Sequence, residues 1–194
     1  MHFLKTTITA AIALLATQTL ASQSPKEIVR AIQGLTAQTV TLKNSAYILS
    51  TDSVVRWHTG TGSSDLRDTI IGYQNLIIQT QNNIKALAGN GLIAPDQALE
   101  IGKVFLDFTN AQLTLTNIMK ERSRIKAAYP PLGNQLGGML GGFKAVFDKY
   151  ATTLSNTASS QRGSIIANRN TLEPQLDIAA LQWIKPVSEM TAQH

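Results

Sequence analysis

The chain has 194 residues, with 17 Lys and Arg against 12 Asp and Glu, and it contains no cysteine. This length suits one domain with a hydrophobic core of its own, and the lack of cysteine excludes the disulfide frameworks that stabilise many small secreted proteins. The formal net charge of +5 is too small to indicate a nucleic-acid-binding surface.

The first 21 residues have the pattern of a secretory signal peptide. Lys5 supplies a positive start, residues 8–16 are apolar but too short to span a bilayer comfortably, and Thr19-Leu20-Ala21 places small residues where signal peptidase cleaves. We therefore predict a signal peptide over residues 1–21 and a single secreted helical-bundle domain over residues 22–194, which is extracellular or loosely associated with a cell wall.

Three further features bear on tethering and modification. A membrane anchor is the weaker alternative, because Gln18 and Gln23 end the apolar run early. The tail after Trp183 lacks the apolar stretch of a GPI signal. No Asn-x-Ser/Thr sequon occurs, so N-glycosylation is not expected.

The first predicted helix begins at a capping box, with Ser24 as N-cap, Pro25 at the first helical position and Glu27 at the third. We expect this helix to end near Ser50 and a flexible linker to follow over residues 51–64. Steps of four and three residues define its buried stripe. The stripe consists of Ile28, Ile32, Leu35, Thr39, Leu42, Ala46 and Leu49.

The second and third predicted helices repeat this spacing. The second ends at Gly89-Asn90-Gly91, and the third begins near Pro95 and ends in a basic run before Tyr129-Pro130-Pro131. The stripe of the second helix is Leu66, Ile70, Tyr73, Ile77, Thr80, Ile84 and Leu87, widened by Ile71 and Ile78. The stripe of the third is Ala98, Ile101, Phe105, Phe108, Gln112, Leu115 and Met119, widened by Leu99, Leu106 and Leu113.

Two more helices complete the predicted chain. The fourth starts with Gly137, Gly138, Gly141 and Gly142, so we expect a weak or irregular first part. Pro174 lies inside the fifth, which predicts a kink or two segments. The stripes are Leu136, Leu140, Phe143, Phe147, Tyr150 and Leu154 in the fourth helix, and Ile165, Leu172, Leu176, Ala179 and Trp183 in the fifth. The sequence therefore predicts an all-α, antiparallel bundle of about five helices.

The order of these segments resembles the fungal hydrophobic surface-binding protein A family, also described as cell-wall galactomannoproteins. The segments that carry the resemblance are IVRAIQGLTAQTVTLKNSAYIL, IIGYQNLIIQTQNNI, ALEIGKVFLDFTNAQLTLTNIM and TLEPQLDIAALQW. The resemblance implies a five-helix bundle that adsorbs to apolar surfaces or encloses a fatty-acyl ligand, in the fungal wall or medium. The Ser/Thr-rich tail or GPI signal of wall-attached members is missing here.

Thr39, Thr80 and Gln112 lie near the middle of three stripes, where antiparallel neighbours meet at a similar depth. They form either a headgroup site for an apolar ligand or a core layer that sets helix register. Arg122, near the end of the bundle, is the alternative partner for a carboxylate. The candidate ligand-binding residues are Thr39, Tyr73, Ile77, Thr80, Ile84, Phe105, Phe108, Gln112, Leu115, Met119, Leu140, Phe143, Phe147 and Tyr150.

The same apolar residues would line a cavity or fill a core, so both alternatives stay open. The glycine pairs 137/141 and 138/142 indicate close packing or a soft ligand gate. The basic run from Lys120 to Lys126 complements the dipole at its own helix end or attracts anionic headgroups.

Catalytic signatures are scarce: His58 is isolated, and no Gly-x-Ser-x-Gly elbow, metal-ligand set or cofactor motif occurs. We predict a protein that is not an enzyme and that binds a fatty acid or other apolar small molecule, with no nucleic-acid partner and no transmembrane segment. The alternative is a surface-active protein that coats hydrophobic surfaces and recruits a secreted hydrolase.

Overall fold

A computed structural model describes residues 23–62 and 64–186, and the predicted signal peptide lies outside this part of the chain. Within these residues the protein is all-helical and has no strand. Two 3-10 helices, Ser123–Ala128 and Ser159–Gln161, separate α4 from α5 and α5 from α6. The α-helices are α1 (Pro25–Tyr47), α2 (Thr51–His58), α3 (Ser64–Leu87), α4 (Pro95–Arg122), α5 (Pro131–Thr157) and α6 (Arg162–Ile184).

The start of α1 is the capping box that the sequence predicts. The Ser24 hydroxyl accepts from the Glu27 N–H at 3.4 Å, and the Glu27 carboxylate accepts from the Ser24 N–H at 2.7 Å. These bonds lower the pKa of Glu27 and satisfy two N–H groups that the helix itself leaves without partners. The helix ends at Tyr47, a little before the expected end near Ser50.

The linker expected over residues 51–64 is wrong, because eight of these residues form α2. Ser50 caps this helix by accepting from the Ser53 N–H at 3.2 Å. Val54 is fully buried, and the imidazole of His58 lies 4.4 Å from the Tyr129 ring. The short helix therefore covers one end of the bundle instead of crossing open solvent. A turn follows α2, in which Gly60 and Gly62 adopt the positive φ angles that glycine tolerates.

The five long helices form a closed ring in which two of the four consecutive pairs, α3–α4 and α4–α5, are not neighbours. Helix α1 packs between α3 and α4, α3 packs on α5, α5 on α6, and α6 on α4. Within the described helices, α3 and α4, like α4 and α5, do not lie side by side, and α4 meets α5 through aromatic side chains at the centre of the ring. Each helix therefore buries one arc against two neighbours and the centre of the ring.

The wide buried faces expected for the second and third helices are wrong at four of the five added positions, while Leu113 is partly buried against the core. Ile71 and Ile78 on α3 are 39% and 53% exposed, and Leu99 and Leu106 on α4 are 50% and 42% exposed. Each pair lies next to the buried stripe of its helix, but on a part of the helix surface that neither neighbouring helix covers. Polar and small side chains extend the buried arc of α4 instead, with Thr109 and Thr116 each 1% exposed.

The expected irregular start of the fourth helix is also wrong, since α5 is α-helical from Pro131. A Cβ on Gly133 would collide with the Trp183 carbonyl oxygen, and one on Gly137 would lie 3.0 Å from the Ala180 carbonyl oxygen. These two glycines let α5 approach the end of α6 closely. Helix α6 is likewise one helix that contains Pro174, not two segments.

Lys126 holds the carboxyl end of α6. Its ammonium donates to the carbonyl oxygens of Gln182, Trp183 (2.9 Å) and Lys185 (2.6 Å), and the residue is only 2% exposed. Within the basic run, Lys126 thus complements the dipole of α6, while Lys120 and Arg122 lie in the last turn of their own helix, α4, as expected. The Trp183 indole donates to the Met119 carbonyl at 2.9 Å and so ties α6 to α4.

Candidate ligand-binding interior

The centre of the ring contains an aromatic cluster built mainly from α4 and α5. The Phe105 and Phe147 rings stack at 5.7 Å with an interplanar angle of 10°. Phe143 and Phe147 are 6.1 Å apart, and Tyr73 meets Phe143 edge-on at 6.4 Å. The four- and three-residue spacing of these side chains puts them on the inward face of each helix. The cluster therefore joins three of the five helices.

These side chains fill the interior around them. Phe105, Phe108, Phe143 and Phe147 have zero exposed surface, and Leu140 is equally buried. A void large enough for a water molecule would leave accessible surface on the side chains that line it. The interior at these positions is thus a packed core, which answers the alternative that the sequence left open.

Two members of the predicted polar layer meet in this core. The Gln112 side-chain Nε2 donates to the Thr39 hydroxyl at 2.6 Å, joining α4 to α1. The Thr39 hydroxyl in turn donates to the Leu35 carbonyl at 2.8 Å. Both residues have zero exposure. The pair is therefore a buried polar contact between two residues that are 73 positions apart in sequence.

The third member, Thr80, lies outside this pair. Its hydroxyl donates to the Leu76 carbonyl of its own helix at 2.7 Å. Leu42 of α1 packs on Gly72 of α3, and the two helices run antiparallel. With a rise of about 1.5 Å per residue, Thr80 therefore lies roughly 7 Å from the level of Thr39 along the bundle axis. Tyr73 lies within about 3 Å of that level by the same geometry.

In the part of the chain that the structure describes, three buried polar atoms of the interior have no hydrogen-bond partner. They are the Gln112 Oε1, the Tyr73 hydroxyl and the Thr116 hydroxyl, and each residue is at most 1% exposed. Burial raises the pKa of Tyr73 far above its usual value, so its hydroxyl stays neutral. An unpartnered buried polar atom costs about 1–3 kcal/mol. Thr116 was missed from sequence, although its four-residue spacing from Gln112 puts it on the same helix face.

The remaining predicted residues surround this level. Tyr150 differs from Tyr73 because its hydroxyl is hydrogen-bonded by Asn83; burial nevertheless raises its pKa. Ile77 is half-buried, and Ile84 is 8% exposed. Leu115 and Met119 are fully buried on α4. The structure therefore brings all of these residues except Ile77 into the buried interior.

Arg122, the alternative headgroup partner, is engaged through one terminal nitrogen, while its buried Nε has no hydrogen-bond partner. Its guanidinium donates to the Tyr47 carbonyl at 2.6 Å and lies 5.5 Å from the centre of the Tyr47 ring. Arg122 thus completes the carboxyl end of α1. It lies ten residues, or about 15 Å, along α4 from Gln112.

Two grooves lie on the outside of the ring. One, of about 400 Å³ between α1 and α3, is lined by residues that include Gln38, Leu42 and Gly72. The other, of about 510 Å³ between α1 and α4, is lined by residues that include Tyr47, Ile48 and Thr114. Both open to solvent, so neither encloses a long apolar chain.

Residues 23–62 and 64–186 contain no group of three or more His, Asp or Glu side chains arranged to hold a metal ion. None of the helices in these ranges combines the length and the apolar character that a membrane span requires.

Comparison with known proteins gives a structural match without a sequence match. No protein-family model matches the chain, and no curated protein matches its sequence. Among solved structures, the crystal structure of AfMP4p in complex with palmitic acid superposes with a TM-score of 0.72 at 9% sequence identity. The match covers 82% of this chain and 99% of that chain. The two proteins share a helical-bundle fold.

Proposed function

We propose that the protein is a secreted, non-enzymatic binding protein that holds one long-chain fatty acid or similar lipid inside the ring of helices. The observation that carries the proposal is the set of unpartnered atoms at one level of an otherwise apolar core. Gln112 Oε1 and the Tyr73 hydroxyl are hydrogen-bonding groups that pay a desolvation penalty in the free protein. A lipid headgroup at this level would supply the missing partners.

The fold supports the same assignment. AfMP4p was crystallised with palmitic acid, and the sequence resemblance to the hydrophobic surface-binding protein A family implies either an enclosed fatty-acyl ligand or adsorption to apolar surfaces. Burial of about ten methylene groups at roughly 0.8 kcal/mol each would contribute about 8 kcal/mol, from which the costs of binding are subtracted.

Binding requires the aromatic cluster to give way, because the interior is filled in the free protein. Helix α5 is suited to move, since Gly138 and Gly141 have no neighbouring atom within 4 Å of a Cβ position. Each glycine inside a helix also lowers its stability by about 1 kcal/mol relative to alanine. Of the glycines in α5, Gly133 and Gly137, near the end of α6, are the tightly packed ones.

The test is displacement of the neutral dye Nile red from delipidated protein by palmitic acid. We expect saturable binding of one ligand per chain at micromolar concentration. Gln112→Leu and Tyr73→Phe each remove an unpartnered atom without leaving a new one, since Thr39 keeps its bond to Leu35. Both variants should unfold at the same or a higher temperature yet bind palmitic acid more weakly.

Thr114→Val is the matched control, because Thr114 is exposed on α4 and lines the outer groove beside α1. This variant should bind like the wild type. Absence of saturable binding, or a loss caused by Thr114→Val and not by Gln112→Leu, contradicts the proposal. Secretion is tested separately: the extracellular protein should begin near Ser22 on N-terminal sequencing.

Adsorption to apolar surfaces is the second candidate function. Ile71 and Ile78 form one exposed apolar ridge and Leu99 with Leu106 another, each pair two turns apart. Replacement of all four by Gln should reduce adsorption to polystyrene without changing lipid binding. Equal adsorption of both proteins would remove support for this candidate. Recruitment of a hydrolase rests on the family resemblance alone.

A further inference from the structure

We propose, on the basis of the function above, that the interior site selects an uncharged headgroup that donates a hydrogen bond, such as a protonated carboxylic acid or a primary alcohol, and rejects a carboxylate. The inference follows from the direction of the hydrogen bonds around Gln112 and from the location of the positive charges.

The orientation of the Gln112 amide is fixed by Thr39. The Thr39 hydroxyl has one hydrogen, and it donates this hydrogen to the Leu35 carbonyl at 2.8 Å. Any atom that approaches the Thr39 oxygen at 2.6 Å must therefore be a donor, which identifies it as Nε2 of Gln112. The amide oxygen is left facing the interior without a partner.

An unpartnered amide oxygen accepts hydrogen bonds and cannot donate them. A ligand that satisfies Gln112 Oε1 must bring an O–H or N–H group of its own. The backbone of Tyr73 lies within about 3 Å of the level of Thr39 along the bundle axis, and its unpartnered hydroxyl can donate to an acceptor on the headgroup. A protonated carboxyl group and an alcohol both combine a donor with an acceptor, whereas a methyl ester has acceptors only.

Among the described residues, no Lys or Arg side chain is buried at this level: Lys144 on α5 is paired with Asp177, and Lys43 on α1 lines the outer groove beside α4. Lys126 is bound to three carbonyl oxygens at the end of α6. Arg122 donates to Tyr47 and keeps an unpartnered Nε, but it lies about 15 Å along α4 from Gln112. Lys103 and Lys120 on α4 lie nine and eight residues from Gln112, about 13 and 12 Å along the axis. The Tyr73 hydroxyl and the second amide hydrogen of Gln112 could donate to a carboxylate. The negative charge of the carboxylate would nevertheless face the Gln112 Oε1 with no positive charge to balance it, which is strongly disfavoured in an apolar core.

The experiment compares three ligands of equal chain length: dodecanoic acid, dodecan-1-ol and methyl dodecanoate. Their displacement of Nile red from delipidated protein is measured between pH 6 and pH 8, below their aggregation limits. The apparent Kd of the acid should rise about tenfold per pH unit, because only its shrinking neutral fraction binds. The Kd values of the alcohol and the ester should stay constant.

The donor requirement predicts a second difference. The alcohol should bind at least about fivefold more tightly than the ester, since only the alcohol can donate to Gln112. Gln112→Leu should abolish this ratio, and the control Thr114→Val should preserve it.

The outcomes separate the two proposals. Acid binding that is independent of pH, or ester binding as tight as that of the alcohol, overturns the headgroup inference and leaves the lipid-binding function intact. Absence of saturable displacement by all three ligands overturns the function itself.

Discussion

Replacement of Lys126 by methionine tests whether one buried ammonium holds the end of α6. The substitution keeps an unbranched stem of similar length but removes the donor to three carbonyl oxygens. A hydrogen bond to a charged group contributes about 1.5–3 kcal/mol. Burial opposes this gain, because it disfavours the charged form and lowers the pKa of Lys126.

We expect Lys126→Met to lower the free energy of unfolding by about 3 kcal/mol, the value of one to two such bonds. The Lys185 end of α6 is exposed, so water replaces part of the loss there. At roughly 2–4 °C per kcal/mol for a chain of this size, Tm should fall by about 6–12 °C. The measurement is thermal and urea unfolding followed by circular dichroism at 222 nm, with fluorescence of the buried Trp183 as a second probe.

The matched control is Arg124→Met, which removes the same charge from the same 3-10 helix at an exposed position with no hydrogen bond. This variant should stay within about 0.5 kcal/mol of the wild type. If both variants lose the same stability, net charge rather than the three carbonyl contacts explains the effect, and the reasoning fails.

Three further predictions concern packing and capping. Gly133→Ala should destabilise the protein by about 2 kcal/mol, because the new Cβ would meet the Trp183 carbonyl oxygen. Gly138 lies in open space, so Gly138→Ala should stabilise the protein by up to about 1 kcal/mol. Equal shifts of the two urea midpoints would refute the close approach of α5 to α6. Thr39→Val should cost about 1–2 kcal/mol by leaving Gln112 Nε2 without its acceptor, and a neutral result would show that this pair is not needed. The Ser24 bonds lower the pKa of Glu27 below 4.5. The contribution of the Glu27 carboxylate to the free energy of unfolding is therefore present above pH 4.5, and it is lost as the pH falls through the pKa of Glu27 in the folded protein. The Tm difference between wild type and Glu27→Gln should therefore shrink below pH 4.5, and a difference constant down to pH 2 would contradict this.

Sequence periodicity predicted the buried stripes well, because a helix with one buried face repeats its apolar residues every three or four positions. Ile32, Leu35 and Phe105 are fully buried as expected. Periodicity does not give the angular width of the buried face, which depends on how many neighbours a helix has. In a ring each helix has only two, so Ile78 and Leu99 remain at the surface.

The functional level was only partly predictable. The depth argument paired Thr39 with Gln112 because both lie midway along their helices, and this pair forms. The same argument placed Thr80 with them, although the register of α3 against α1 puts Tyr73 there instead. Register is set by local packing such as Leu42 against Gly72, and no single-helix pattern carries that information. Lys126 was missed as a cap because its acceptors are 56–59 residues away.

The order of the ring has a consequence for how the chain folds. Helix α4 lies in the middle of the sequence, yet its main partners are the first and last long helices, through contacts such as Gln112 with Thr39 and Met119 with Trp183. These contacts close loops of 73 and 64 residues, far longer than those of an up-and-down bundle with adjacent neighbours. Since folding rates fall as contacting residues become more distant in sequence, this bundle should fold more slowly than its helix content suggests. During synthesis, the side of α4 that packs on α6 stays exposed until α6 has emerged.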